Sequence, residues 1–132
     1  MLRFELLSRT GRTQQILDEA IGYWLFMADR TGTLWEHDAP QASCNHGFAS
    51  HAAHVFFRDV LGLYQVDPTH RSIQLRLTDL QLDWCEGTLP TPDGSIQMRW
   101  WKAGTKLHYR LATPAGYQVA VQNLSGKELA KE

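Results

Sequence analysis

The sequence lacks three features that would classify a chain at once: a set of paired cysteines, an excess of charge of one sign, and a long hydrophobic run. Its two cysteines, Cys44 and Cys85, are too few for a disulfide scaffold and too far apart for a CxxC redox or zinc motif. Thirteen lysines and arginines face 14 aspartates and glutamates, so no basic stripe exists to follow phosphates, and we expect no nucleic-acid partner. Apolar runs stop far short of the roughly 20 residues of a membrane span, so we expect a soluble protein without membrane association.

The N-terminal stretch "MLRFELLSRTGRT" also lacks the form of a signal peptide, because Arg3, Glu5 and Arg9 interrupt its apolar residues. Any export would have to be directed by sequence outside this chain. At 132 residues the chain has the length of about one domain and can bury a sizeable core.

What the sequence does contain is a change of hydrophobic period halfway along. An apolar stripe at helical spacing runs from Arg12 to Met27, after a shorter helical pattern over Leu2–Arg9, and a second stripe runs from Phe48 to Leu61. The two long stripes predict helices that pack as a hairpin. Gly62 marks the end of the second helix.

The second half alternates apolar and polar residues, as half-buried strands do. Turn signals separate the alternating stretches: "TPDG" at 91–94, "KAGTK" at 102–106 and "TPAG" at 113–116. Five strands are predicted, centred on Leu75, Leu82, Met98, Tyr109 and Val119. Helices followed by strands predict an α+β fold, with an N-terminal helical hairpin and then an antiparallel β-sandwich of about five or more strands. We place the helical segment at 1–62, the sandwich at 63–124 and a fraying tail at 125–132.

Several chemistry-bearing residues lie between the two long helices, in "TGTLWEHDAPQASCNHGFASH" at 31–51. Histidines and a cysteine suit zinc, but the HExxH and CxxC spacings of zinc sites are absent, so no metal ligands are assigned. Cys44 precedes a helix start with His46 close by, yet no third residue orients such a pair, and a small packing role is favoured over a nucleophile.

Trp35 and Glu36 favour the interpretation of the same loop as a carbohydrate site. A flat indole ring can pack against the apolar face of a sugar while a neighbouring carboxylate reaches a water or a hydroxyl group. The hairpin returns the chain to the same end of the helices, which would place His46 near Glu36. A surface Trp-Glu pair is also a common packing anchor with a solvated charge, so both readings stay open on the pattern alone.

The order of three motifs resembles the C-terminal end of bacterial α-L-rhamnosidases of glycoside hydrolase family 78. These are "LLSRTGRTQQILDEAIGYWLFMADRTGTLWE", "NHGFASHAAHVFFRDVLGL" and "LPTPDGSIQMRWW", and the resemblance that they mark extends over nearly the whole chain. The resemblance implies the last helices of an (α/α)6 barrel followed by a β-sandwich. It also implies that the glutamate of "TLWE", Glu36, is the general base, and that the histidine of "NH", His46, contacts substrate. Trp35 is added as a substrate-binding residue on the sugar-packing argument above.

The reaction implied by the resemblance is hydrolysis of terminal rhamnosides with inversion, which needs no cofactor. A second carboxyl group must protonate the leaving oxygen from about 6.5 to 9.5 Å away. That group lies upstream in the family, and Asp38 is too close in sequence to Glu36 to oppose it across a sugar. The sequence therefore predicts an enzyme-derived C-terminal fragment that is inactive by itself, with exposed helix faces that favour self-association.

A different class of function stays open beside this one. The chain is alternatively a non-catalytic carbohydrate-binding or interaction module, in which aromatic residues of the strands contact a glycan. Most of these aromatics are expected in the core, because large aromatics dominate cores as well as binding sites. Trp101 is the exception, since it falls on the phase opposite to Ile96 and Met98.

Overall fold

The computed structural model describes residues 2–37, 39 and 41–132, which form two compact units, Met1–Phe56 and Phe57–Glu132. The units divide a few residues before the boundary at 62 that the sequence suggested. The reason is local: the indole Nε1 of Trp100 donates a hydrogen bond of 3.0 Å to the carbonyl oxygen of Val60, which ties the end of the last helical segment to the strands of the second unit.

The first unit is helical and follows the predicted stripes. Its α-helices are listed in chain order: α1 Leu2–Arg9, α2 Thr13–Ala20, α3 Phe26–Thr31 and α4 His51–Val55. Wider π-helical turns interrupt the expected regular helices at Ile21–Leu25 and Phe56–Val60, and a 3₁₀ turn at Gly47–Ser50 precedes α4. The two predicted long helices are therefore present, but each contains both α-helical and π-helical segments.

The core of the first unit joins the two predicted stripes. Its buried members come from α1, α2, the first π turn and α4: Leu7, Ile16, Ala20, Trp24, Ala52 and Val55. The presence of Trp24 in one buried cluster with Ala52 and Val55 of α4 confirms the packed helical hairpin. The indole of Trp24 also stacks on Phe4, with ring centroids 4.8 Å apart.

The second unit contains seven strands in two sheets. They are β1 Leu63–Asp67, β2 Ser72–Leu77, β3 Trp84–Thr91, β4 Gly94–Ala103, β5 Lys106–Ala112, β6 Gln118–Asn123 and β7 Glu128–Lys131. One sheet has the order β1-β2-β6 and the other β3-β4-β5-β7. Buried residues alternate along β2 and β4, so each sheet has one covered face, as in a sandwich. The α+β class is confirmed.

Each sheet is mixed rather than purely antiparallel. Strand β6 pairs parallel with β2, and β7 pairs parallel with β5, while the other three pairs are antiparallel. Antiparallel neighbours here are joined directly along the chain, whereas β6 and β7 are each reached by crossing from the other sheet. Such crossings free the strand direction from the reversal that a hairpin imposes.

Two strand predictions need correction. Strand β1 was missed because a register shift between Leu63 and Gln65 breaks its alternation. The predicted strand around Leu82 is an irregular segment before β3, and its Asp79 carboxylate forms ion pairs with Lys102 and Lys127.

The tail at 125–132, expected to fray, instead contains β7. It is held by parallel pairing to β5 and by an ion pair of 2.6 Å between Glu128 and Lys106. Within the described part of the chain, no helix has the length and apolar character needed to cross a membrane.

Candidate functional site

The loop after α3 folds back on itself through its backbone. Gly32 ends α3 in the left-handed conformation, with φ of 72°, and its N–H donates to the carbonyl of Ala28. Further along, the N–H of His46 donates to the carbonyl of Leu34 at 3.1 Å, and the N–H of Glu36 donates to the carbonyl of Ser43 at 3.0 Å. These bonds bring the "TLWE" and "NH" motifs side by side, as the hairpin argument predicted.

Trp35 is anchored in this loop by both of its nitrogens. The indole Nε1 donates to the hydroxyl of Thr31 at 2.7 Å, and the backbone N–H donates to the sulfur of Met27 at 3.4 Å. The ring meets Phe26 edge to face, with centroids 6.2 Å apart. Trp35 therefore does serve as a packing anchor, and its partly exposed ring is held in a fixed position next to Glu36.

Trp35 and Glu36 line a cleft of about 220 Å³ within the first unit. The remaining walls come from α1, the first π turn and the region around α4: Phe4, Tyr23, Trp24, Ala49 and His51. The cleft thus combines aromatic walls with one carboxylate at its edge. Such a mixture of apolar surface and few polar groups is typical of small-molecule sites.

The Glu36 side chain is exposed, and none of the basic side chains in the described residues lies within ion-pair distance of it. Its carboxylate is therefore available to a water or to a ligand hydroxyl group. A salt link would have tied up the oxygen atoms that a general base needs.

His51 is the cleft residue that the sequence reasoning passed over. Its Nε2 lies 3.3 Å from a carboxylate oxygen of Glu5, and its ring lies 5.4 Å from that of His54. Glu5 is far away in sequence, so no local pattern indicated this pair. The histidine is half-buried and lines the cleft.

The other candidate residues of the loop are not found among the cleft-lining residues that the structure describes. The side chain of His46 is half-buried and is not among the described residues that line the cleft. Cys44 is exposed, with its sulfur 3.7 Å from the carbonyl oxygen of Ala42. Asp38 lies outside the described residues. Across the described ranges, no three His, Cys, Asp or Glu side chains come together as metal ligands would.

The aromatic residues of the strands divide between core and surface. Trp100 and Tyr109 are buried, as predicted, whereas Trp84 is 54% exposed and was wrongly expected in the core. Trp84 begins β3 and points to the same side as Glu86, the uncovered side of its sheet. Trp101 is half-buried and stacks on His108, with ring centroids 5.4 Å apart.

Comparisons with known proteins identify a family and a similar fold. A family model described as the bacterial alpha-L-rhamnosidase C-terminal domain matches residues 62–131, which is more than half of the chain. The crystal structure of a GH78 family rhamnosidase of Bacillus sp. GL1 superposes with a TM-score of 0.83 at 22% identity, covering 97% of this chain and 15% of that one. The likeness to this structure concerns the fold, and the chain spans about 15% of that protein's length. No curated protein matches the chain significantly.

Proposed function

Because this chain belongs to the bacterial alpha-L-rhamnosidase C-terminal domain family, we propose that it is the C-terminal portion of a glycoside hydrolase that removes terminal rhamnose from glycosides. The observation that carries the proposal is the cleft beside Trp35, with the exposed Glu36 carboxylate at its edge. The fold likeness supports it, because the superposed protein is a GH78 family rhamnosidase.

Glu36 acts in this proposal as the general base of an inverting reaction. Its carboxylate takes a proton from a water molecule, and the water oxygen bonds to the anomeric carbon from the face opposite the leaving group. The bond from that carbon to the leaving oxygen breaks, and a carboxylic acid protonates this oxygen. The acid and the base stand about 6.5 to 9.5 Å apart so that the water fits between them. The acid belongs to the rest of the enzyme.

Trp35 and His46 are proposed as substrate-binding residues. The fixed ring of Trp35 offers a flat apolar surface for a sugar ring, since its two nitrogens are already bound to Thr31 and Met27. The His46 backbone is joined to Leu34, so its side chain needs only a short reach to a sugar that extends beyond the cleft. His51, held by Glu5, is a third polar group for a sugar hydroxyl.

The first unit exposes apolar side chains that a complete barrel would cover. Leu2 and Leu6 of α1 and Ile21 and Leu25 of the first π turn are each about half exposed or more. We propose that the remaining barrel helices cover them in the enzyme, and that the isolated chain self-associates through them. With the acid absent, the isolated chain is expected to show no hydrolysis.

The test is Glu36→Gln in the complete enzyme, with an aryl rhamnoside as substrate. The amide keeps the shape of the side chain but does not accept the proton, so kcat should fall about 100- to 10,000-fold while KM stays within about threefold. The anomer released by the unmodified enzyme, followed by proton NMR, should be the inverted one.

Glu128→Gln is the matched control, because Glu128 is an exposed glutamate of β7 whose change should leave kcat unaltered. A Glu36→Gln enzyme with near-normal kcat would remove the general-base assignment. Rhamnoside hydrolysis by the purified 132-residue chain would show that the acid lies within it.

A further inference from the structure

The uncovered face of the four-stranded sheet carries side chains in ordered rows across three strands. Cross-strand pairing aligns Trp84, Trp101 and His108 in one row, which we call the aromatic row. The next row, the charged row, aligns Glu86, Arg99 and Arg110. These positions alternate with the buried residues of β4 and β5, so all six side chains lie on the same face.

The charged row holds more positive than negative charge. Arg99 and Arg110 are directly opposite each other on β4 and β5, an arrangement of like charges that destabilises a sheet unless something offsets it. Glu86 partly offsets it, with a carboxylate oxygen 3.2 Å from an Nη of Arg99. Among the residues described, no acidic side chain lies within ion-pair distance of Arg110, so this guanidinium is left for an external anion.

The Arg99 guanidinium is held in place before any ligand arrives. Its Cζ lies 5.6 Å from the ring centroid of Trp84 and 5.8 Å from that of Trp101. The guanidinium also donates a hydrogen bond to Glu86. Contacts with aromatic rings at such distances restrain an arginine through cation–π attraction. A pre-positioned arginine loses less freedom when an anion binds.

Two adjoining hollows open over these rows, of about 560 and 200 Å³, and both are lined by Arg99 and Arg110. Trp101 lines the smaller hollow, and Gln97 and Thr88 line the larger one. Residues 99 and 101 are two positions apart on β4, about 7 Å along the strand. A pyranose ring with a carboxylate on it covers a comparable length.

From this geometry we propose that the outer face of the sheet binds an acidic saccharide, with the sugar ring on Trp101 and its carboxylate between Arg99 and Arg110. The planar fork of arginine matches a carboxylate, and a flat aromatic surface matches a sugar ring. The site uses residues of the second unit alone and does not depend on the role proposed for Glu36.

The experiment is isothermal titration of the 132-residue chain with a glucuronate-containing oligosaccharide and with the same oligosaccharide after reduction of its carboxyl groups. The acidic form should bind at least about tenfold more tightly, because hydrogen bonds to a charged group are lost on reduction. Its affinity should also fall at high salt. Equal affinities, or no binding of either form at millimolar concentration, would overturn the proposal.

Variants separate this site from a general attraction to anions. Arg110→Gln should weaken binding of the acidic oligosaccharide about tenfold, whereas Lys131→Gln, an equal loss of charge on the same sheet, should change it less than about twofold. Glu86→Gln should strengthen binding a few-fold, because it removes the negative charge that competes with the ligand carboxylate for Arg99, while the two indole rings still restrain the guanidinium. Unchanged binding in Arg110→Gln contradicts the site.

A titration with a hexaglutamate peptide tests whether the site prefers an acidic peptide to an acidic saccharide. If it binds as tightly as the acidic oligosaccharide, the occupant is an acidic peptide and the saccharide assignment fails. Circular dichroism should show each variant folded, since Arg110, Lys131 and Glu86 are all exposed.

Discussion

Gly62 shows how a single residue limits the path of the chain. It stands before β1 with φ of 93°, and its carbonyl accepts hydrogen bonds from the N–H groups of Tyr64 and Arg76. A Cβ built on this residue would lie 2.9 Å from the carbonyl oxygen of Arg76, which is backbone and does not yield. Glycine is required here by both conformation and space.

Gly62→Ala should therefore destabilise the protein through backbone strain and a steric clash together. We expect a loss of about 3 kcal/mol in the free energy of unfolding, measured by urea denaturation. Gly104→Ala is the matched control, because Gly104 has φ of 59° but nothing within 4 Å of the point where a Cβ would lie, so about 1 kcal/mol is expected. Equal losses in the two variants would contradict the role assigned to the clash.

At the scale of elements, the π-helical turn Phe56–Val60 is bound to the sheet by one buried side chain. Trp100 of β4 is 2% exposed, and its indole N–H donates to the Val60 carbonyl at 3.0 Å. Gly87 of β3 allows the residues of this helical end to pack closely on the strand, because a Cβ at position 87 would lie only 2.9 Å from a methyl group of Leu61. The turn and the strands therefore stabilise each other.

Trp100→Phe should remove this link while keeping an aromatic ring in the core. The Val60 carbonyl would lose its donor and the smaller ring would leave a void, which together cost about 2 to 3 kcal/mol of unfolding free energy. Trp84→Phe is the control, because Trp84 is 54% exposed and its change should stay within about 0.5 kcal/mol. Thermal or urea unfolding of both variants measures the difference, and a Trp100→Phe variant as stable as the control would show that the bond contributes little.

At the scale of the whole molecule, three carboxylates make stability depend on pH. Hydrogen bonds from Arg3 and Gln15 lower the pKa of Glu19 to about 2. A hydrogen bond from His70 lowers the pKa of Asp67, and one from Lys102 lowers that of Asp79. Each of these groups binds a proton less readily in the folded state than in the unfolded chain.

A lowered folded-state pKa gives stability that is fully present above the ordinary value and is lost as pH falls through the folded value. The melting temperature should therefore decrease as pH falls from about 4.5, the ordinary value for Glu19, to about 2. Burial raises the pKa of the Cys85 thiol, so a further decrease is expected as pH rises above about 9. Circular dichroism melts across this range test both limbs, and Glu19→Gln should flatten the acid limb. A constant melting temperature from pH 5 to 2 would contradict the assignment.

Local pattern was sufficient for much of the fold. Helical stripes and alternating strands identified the α+β class, the helical hairpin and the turns at 91–94 and 102–106, because these features depend on neighbours only a few positions apart. Strands β1 and β7 were not predicted from the sequence. Strand β1 contains a register shift, and strand β7 is stabilised by pairing with β5, which is far away in sequence. Leu80 contributed to the wrong prediction of a strand around Leu82 for the same reason. It is buried by tertiary packing although it lies in an irregular segment between β2 and β3.

The sequence by itself determined the family and the order of its motifs, and it identified Trp35 and Glu36 as neighbours in a loop. Only the tertiary structure decided that a cleft opens beside them, because its walls come from segments far apart in the chain. Only strand register decided that Arg99 stands beside Arg110 and Trp101 beside His108, since a slip of one residue would turn every side chain to the other face. Sites are built from contacts across the chain, and those contacts are set by packing.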